Sequence, residues 1–298
     1  MSSKSKLNAL SSLLIRKISS PLYKIAPGWT QHRIEDSLLV PKKHDKQTLR
    51  LPKDIKQLAL KTRDGSVQAY LIGKGPTVVL VHGWGGGAHQ FFPLMRGLAQ
   101  IGFSALSFDH LGHGLSDEKA ATLQQAISTT NEVLSFTRKK MPEGLTAIVG
   151  HSTGCIAIAN AHASLIQDMP LFLISPVFNF KLFFLKRLSG LNFPPELIRQ
   201  YAAQFAKSYK QQYAKLELAR KLDQYADVTV IAHDQNDNIS PIADSLNFCK
   251  TYPLTKLLVT KEFDHTRIIN SESVWQELKS HLNYEDTTIN FIDQFQPR

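Results

Sequence analysis

A serine flanked by glycines constrains the possible fold of this chain more than any other feature. Residues Gly150–Gly154 read GHSTG, between an apolar strand-like run, Leu145–Val149, and a run of small residues, Cys155–Ala163. A serine is an effective nucleophile when a sharp strand-to-helix turn exposes it to a base on one side and a carbonyl on the other. The flanking glycines let strand and helix approach without Cβ clashes. The pattern predicts that Ser152 is such a nucleophile; the alternative is a serine in an ordinary loop.

A glycine-rich segment after another apolar run predicts where negative charge would be stabilised. The run Pro76–Val81 is typical of a parallel strand covered on both faces, and residues 82–87 after it read HGWGGG. Acyl transfer turns a carbonyl oxygen into an oxyanion, which needs N–H donors where the charge develops. We predict that the backbone amides of Trp84 and Thr153 supply them. The alternatives are a flexible loop or a phosphate cradle, although neither common phosphate-binding glycine pattern is present.

The predicted acid and base follow later strands. The loop after the β-branched run Val228–Ala232 contains Asp237, which we prefer to Asp234 as the acid because it lies deeper in the loop. Both aspartates are alternatively turn formers. His265 follows the last strand-like run and completes the order Ser, Asp, His that is typical of enzymes with a nucleophile elbow. His265 would take the proton of Ser152 while Asp237 holds the imidazole.

Together with the loop Asp109–Ser116, which reads DHLGHGLS, these segments resemble the α/β-hydrolase superfamily, in its esterase, lipase and serine-aminopeptidase-like branch. The resemblance runs from about Leu58 to the last helix and is interrupted by a cap segment. It implies an α/β fold with a mostly parallel eight-stranded sheet, helices on both faces and a small helical cap. It also matches the five residues above to the nucleophile, acid, base and oxyanion amides.

Some positions depart from the family pattern. Cys155 and His233 stand where glycines are frequent, and Asp264 replaces the glycine that usually precedes the base. None of these changes removes a reacting group, but they weaken any inference about substrate. A serine at position 152 argues against the dehalogenases and epoxide hydrolases of this fold, which use an aspartate nucleophile.

Alternation of strand-like and helical stretches independently predicts a mostly parallel sheet covered by helices. The turn Arg63–Gly65 predicts an antiparallel hairpin at its edge. Residues 57–178 and 226–298 would form the core. The strand-like runs are Gln57–Lys61, Val67–Ile72, Thr77–Val81, Ser104–Phe108, Ala147–Val149, Leu171–Ser175, Val228–Ala232 and Thr255–Thr260.

Residues 179–225 are predicted to be a helical cap inserted after the sixth strand. Apolar residues recur at helical spacing behind Pro194 and Pro195, which suit a helix start. These residues are Leu197, Ile198, Tyr201, Phe205, Tyr209 and Tyr213. A cap would cover the carboxyl ends of the strands and shape the substrate pocket; the alternative is a pair of ordinary packing helices.

Positive charge is concentrated in two segments. Residues 1–61 hold thirteen Lys or Arg and four Asp or Glu, and residues 180–223 hold nine and three, in a chain of net charge +10. This asymmetry indicates an anionic surface or ligand, or basic segments that are simply solvated. Within the predicted basic extension, residues 1–56, apolar residues between Leu7 and Leu22 fall at near-helical spacing. They would form either a helix on an anionic membrane or an arm packed on the core.

The sequence disfavours a membrane-spanning, secreted, metal-binding or nucleic-acid-binding protein. No apolar run is long enough to predict a transmembrane helix, and no convincing secretory peptide is present. Two cysteines, Cys155 and Cys249, favour reduced thiols in a cytoplasmic protein, with membrane association as an open alternative. No metal-ligand spacing and no nucleic-acid module accompany the basic charge.

We therefore expect a cofactor-independent serine hydrolase that cleaves a carboxylic ester through an acyl-enzyme. Apolar residues of the predicted cap, including Phe183, Phe184 and Leu185, favour a hydrophobic acyl group. The alternatives are a thioesterase, acyltransferase or peptidase using the same triad, or a hydrolase-fold binding protein with vestigial catalysis.

Overall fold

The computed structural model describes residues 51–117, 121–167, 169–189, 195–212 and 214–283. Most of the predicted basic extension, with the amphipathic segment Leu7–Leu22, and the end of the predicted core, residues 284–298, lie outside the described residues. Of the extension's last residues, Ile55 is buried against the core.

The described strands form one sheet in the order β1-β2-β4-β3-β5-β6-β7-β8. The pairs β1–β2 and β2–β4 are antiparallel and every other pair is parallel. The predicted fold class is confirmed, with strand bounds within two residues of those expected. The strands are β1 Lys56–Lys61, β2 Ser66–Ile72, β3 Thr77–Val81, β4 Ser104–Phe108, β5 Leu145–His151, β6 Leu171–Ile174, β7 Thr229–Asp234 and β8 Lys256–Thr260.

Strand β3 explains why an unbroken apolar run forms the centre of the sheet. All five of its residues are buried. Side chains alternate between the two faces of a strand, so Val79 and Val81 pack in one apolar cluster while Val78 and Leu80 pack in the other. Helices on both faces complete these clusters.

Some of the described helices begin at a residue whose side chain caps the helix. Thr122, for example, accepts a hydrogen bond from the Gln125 amide through its side chain at the start of the second described helix. The helices are α1 Phe92–Gln100, α2 Leu123–Lys140, α3 Thr153–Ala159, α4 Ala163–Ile166, α5 Phe180–Ser189, α6 Pro195–Gln212, α7 Leu218–Leu222, α8 Ile242–Thr251 and α9 Glu272–His281. Short 3-10 turns span Ala88–Phe91, Ala214–Leu216, Asp223–Val228 and Arg267–Asn270.

The segment between β6 and β7, here called the insertion, contains α5, α6 and α7. Helix α6 begins at Pro195, where a proline's missing N–H costs no helical hydrogen bond. Phe184 of α5 stacks on Phe205 of α6 with ring centroids 3.8 Å apart. The helical character expected for this segment is therefore present. Among the described helices, none combines the length and apolarity that crossing a membrane would require.

Parallel pairing brings the predicted site residues to one edge of the sheet. Strand β5 ends at His151, immediately before Ser152, and β7 and β8 end at Asp234 and Thr260. Because the carboxyl ends of parallel strands share an edge, the loops that follow them meet there. This edge holds the candidate site.

Candidate active site

Ser152 lies at a strained turn between β5 and α3. Its φ is +56° and its ψ is −124°, a conformation that residues with a Cβ rarely adopt. Such a residue costs about 1–3 kcal/mol and persists only where the surrounding structure holds it. The Ser152 amide donates to the carbonyl of Ile174 at 3.0 Å, which ties the turn to the end of β6.

Close packing accounts for the motif's two glycines. A Cβ on Gly150 would lie 2.6 Å from Cδ1 of Ile158, and one on Gly154 would collide with the carbonyl oxygen of Val81. Gly83 on the neighbouring loop is equally constrained, since its Cβ would lie 2.6 Å from that of Ser152. The elbow and the HGWGGG loop are thus in contact because both lack side chains at the crossing.

Three side chains predicted from distant loops form one hydrogen-bonded chain. The Ser152 hydroxyl and the His265 Nε2 are 2.8 Å apart, and His265 Nδ1 lies 2.7 Å from Oδ2 of Asp237. With the Nδ1–H donated to the carboxylate, Nε2 accepts the serine proton. The Asp237 side chain is fully buried and that of His265 is 12% exposed. This arrangement can deprotonate a hydroxyl as it attacks a carbonyl carbon.

Asp237 is held as a carboxylate by several donors. Its Oδ1 accepts from the amides of Ile239 and Ser240 at 2.8 Å each. Burial alone would raise the pKa of Asp237, but hydrogen bonds from His233 and His265 outweigh that effect and lower the pKa well below its usual range. The charge needed to stabilise an imidazolium is therefore present across the neutral pH range.

His233 is a site residue that sequence reasoning did not identify. Its buried ring places Nε2 3.2 Å from Oδ2 of Asp237 and 3.0 Å from the carbonyl of Ser240, while Nδ1 lies 2.7 Å from the Ser245 hydroxyl. It stands four residues before the acid, at a position noted in the sequence only as a departure from glycine. His233 thus contacts the same carboxylate oxygen as His265.

The two remaining aspartates near the site tie loops together. Asp234, the alternative acid, accepts from the Thr260 hydroxyl at 2.6 Å and from the Phe263 amide at 3.0 Å, so it links β7 to the loop after β8. Asp264 accepts from the amides of Thr266 and Arg267 and thereby closes the turn that carries the base. It is Asp237, not Asp234, that reaches the His265 imidazole.

A second histidine, His151, forms a hydrogen bond with the backbone of His265. His151 Nε2 donates to the carbonyl of His265 at 2.8 Å. Burial and the neighbouring His265 lower the pKa of His151 to about 3, so its imidazole stays neutral. A neutral ring beside the base adds no positive charge to oppose protonation of His265.

The predicted oxyanion amides are adjacent, but one is already engaged. The Trp84 amide donates to Oγ1 of Thr153 at 2.7 Å, and the next amide, of Gly85, donates to His113 Nε2 at 3.1 Å. The Thr153 amide starts α3, where N–H groups have no acceptor within the helix. A substrate oxygen would therefore compete with the Thr153 hydroxyl for Trp84 while meeting the Thr153 amide directly.

A cavity of about 220 Å³ opens beside the serine. Its wall includes Ser152, His265 and Trp84, with Phe183 and Arg187 contributed by α5 of the insertion. No cluster of side chains suited to a metal ion occurs within the ranges that the structure describes.

Comparisons with known proteins agree with this fold. Residues 74–255 match the model of a protein family described as serine aminopeptidase, S33. Among solved structures, the esterase Pf2001 from Pyrococcus furiosus is 19% identical, the alignment covering 83% of this chain and 97% of that one, with a TM-score of 0.62. Est1E from Butyrivibrio proteoclasticus is 20% identical, with 76% and 99% covered and a TM-score of 0.55.

A thioesterase domain from the curacin biosynthetic pathway is 14% identical, with 77% and 99% covered and a TM-score of 0.55. At these identities the structural likeness establishes the fold. No curated protein matches the chain in sequence.

Proposed function

The chain belongs to the serine aminopeptidase S33 family of α/β hydrolases, and on this premise we propose that it is a serine hydrolase cleaving a carboxylic ester. The observation that carries the proposal is the unbroken contact from the Ser152 hydroxyl through His265 to the buried carboxylate of Asp237. A binding protein that had lost catalysis would have no need to keep a strained serine aligned with a base.

The proposed reaction has two stages. Ser152 Oγ attacks the ester carbonyl as its proton passes to His265 Nε2, and Asp237 stabilises the resulting imidazolium. The tetrahedral intermediate collapses to an acyl-enzyme, and His265 returns the proton to the departing alcohol. Water then attacks the acyl-enzyme with His265 as base, which releases a carboxylic acid and restores the Ser152 hydroxyl.

Oxyanion stabilisation in this proposal comes from the amides of Trp84 and Thr153. Each such donor typically contributes about 3–4 kcal/mol to the transition state. The Thr153 hydroxyl, which accepts from the Trp84 amide in this structure, must share or release that N–H when substrate binds.

We also propose that the insertion acts as a cap and that the acyl group is hydrophobic. Phe183 of the insertion and Ile239 of the acid loop line the cavity, and both are apolar. An ester is the favoured substrate because the similar structures include the esterase Pf2001. A thioester is the second candidate because they also include a thioesterase domain.

The test is hydrolysis of 4-nitrophenyl esters of graded acyl length, with a thioester of matched length for comparison. Ser152→Ala is expected to reduce kcat by about 10⁴-fold or more, because nucleophile and base act as a unit. Ser280→Ala, a control at an exposed serine of α9, is expected to retain full activity. Hydrolysis that survives Ser152→Ala, or the absence of any hydrolysis by the native chain, would contradict the proposal.

A further inference from the structure

One charged side chain from the insertion lies in the wall of the catalytic cavity. Arg187 lines this cavity together with Ser152 and His265. Phe183, one helical turn earlier on α5, lines it as well. Residues four apart on a helix share a face, so α5 presents an aromatic ring and a guanidinium to the same cavity.

The Arg187 guanidinium makes no hydrogen bond or ion pair within the described parts of the chain. Arg267, beside the base, differs in this respect, because it is paired with Asp264 at 2.8 Å. The cavity wall contains no Asp or Glu, and the Asp237 carboxylate behind His265 already accepts hydrogen bonds from two backbone amides.

An unpaired guanidinium in this position favours an anion. The Arg187 side chain is exposed by surface area, yet surrounding atoms remove enough water to lower its pKa, although arginine remains protonated. Its planar donors match a carboxylate in a two-point contact. A single cation in the wall suits one negative charge rather than the two of a phosphate monoester.

We propose that the substrate is an ester carrying a carboxylate near the scissile bond, and that Arg187 binds this carboxylate. This inference rests on the ester hydrolysis proposed above and adds the substrate class. The cavity then has two recognition elements: apolar Phe183 and Ile239 contact the carbon skeleton, and Arg187 fixes the charged end. The carboxylate belongs either to the far end of an otherwise apolar acyl chain or to the alcohol half of the ester.

The experiment compares two pairs of esters, each made of an anionic ester and a neutral counterpart that lacks the carboxylate. In the first pair, mono-4-nitrophenyl adipate carries the carboxylate on the acyl side and 4-nitrophenyl hexanoate is its neutral counterpart. In the second pair, 4-carboxyphenyl acetate carries it on the alcohol side and phenyl acetate is the neutral counterpart. For the native chain we expect a higher kcat/KM for the anionic member of one pair. Arg187→Gln should lower that kcat/KM by about 10- to 100-fold, mainly through KM, and change the neutral member by less than about 2-fold.

Two further variants sharpen the result. Lys186→Gln removes the same charge from the adjacent, exposed position of α5 and should leave both esters within about 2-fold of native. Arg187→Lys should retain part of the preference, because it keeps the charge and loses the two-point contact. Activity on the neutral ester shows that each variant is folded.

The outcomes separate the two proposals. Two results would overturn the carboxylate inference alone. One is that the native chain hydrolyses the neutral esters and prefers neither anionic ester. The other is that Arg187→Gln lowers kcat/KM equally for both members of a pair. If the native chain hydrolyses none of the four esters, the ester hydrolase proposal is overturned and this inference with it.

Discussion

At the scale of single residues, Asp237 depends on more than its contact with the base. Two backbone amides donate to Oδ1, while His233 and His265 both contact Oδ2. A carboxylate with this many donors has one orientation, and that orientation sets the tautomer and direction of the His265 ring. His233 is therefore a positioning residue that touches no substrate.

Replacing this residue tests that role. His233→Asn is expected to lower kcat by about 10- to 100-fold, because one charge-assisted hydrogen bond to Asp237 is lost, while KM changes little. Steady-state kinetics give the split between kcat and KM. Ser245→Ala, which removes the partner of the other ring nitrogen, is the control and should have a smaller effect. A native kcat in His233→Asn would contradict the assignment.

The sequence predicts some features of individual site residues and leaves others undetermined. The spacing and order of Ser152, Asp237 and His265 follow from which loops leave the strands, so one chain suffices to predict them. The bond from the Trp84 amide to the Thr153 hydroxyl and the place of Arg187 in the cavity depend on side-chain packing between distant segments. The contact between the rings of His281 and Phe172, whose centroids are 6.1 Å apart, also depends on such packing.

At the scale of elements, the site depends on how closely α3 approaches β3. The absent side chain of Gly154 leaves α3 in contact with the carbonyl oxygens of Val81 and His82. Most of the strands were predictable because they are short apolar runs. The closeness of the crossing is visible only in the structure.

Gly154→Ala should force this helix away from the strand. We expect a loss of about 1–3 kcal/mol in the free energy of unfolding, the usual cost of overpacking, together with at least a 10-fold fall in kcat as Ser152 shifts from His265. Urea denaturation and ester hydrolysis measure the two effects. Stability and kcat both equal to the native values would show that the crossing tolerates a methyl group.

At the scale of the whole molecule, buried neutral histidines couple folding to pH. Burial is the largest cause that lowers the pKa of His113 and of His151 to about 3, and it lowers the pKa of His110 as well. Unfolded histidines titrate near 6.5, so between that pH and about 3 the unfolded chain binds more protons. Stability is therefore complete above about pH 6.5 and falls as the pH decreases.

The prediction is a free energy of unfolding that declines from pH 7.5 to pH 5, before most carboxylates titrate. Each buried histidine contributes a slope of up to about 1.4 kcal/mol per pH unit. His110→Leu removes an imidazole whose ring nitrogens have no partner among the described residues, and it should flatten the slope. Urea titrations at several pH values supply the measurement; a native stability that is constant over this range would refute it.

The N-terminal segment of the chain is strongly basic. We propose that the basic N-terminal segment contacts anionic membranes, because residues 1–61 contain thirteen Lys or Arg and apolar residues recur at near-helical spacing between Leu7 and Leu22. Deleting residues 1–26 should weaken cosedimentation with vesicles containing phosphatidylserine and leave ester hydrolysis unchanged. Equal binding of the full-length and shortened chains would assign the segment a structural role instead.

Active-site labelling is the most direct test of whether Ser152 is the nucleophile. The native chain is treated with a fluorophosphonate, digested and mapped by mass spectrometry. We expect one phosphonate adduct, on Ser152, with greatly slowed labelling in His265→Gln and none in Ser152→Ala. An adduct on a different residue, or no adduct on a chain that hydrolyses esters, would contradict it.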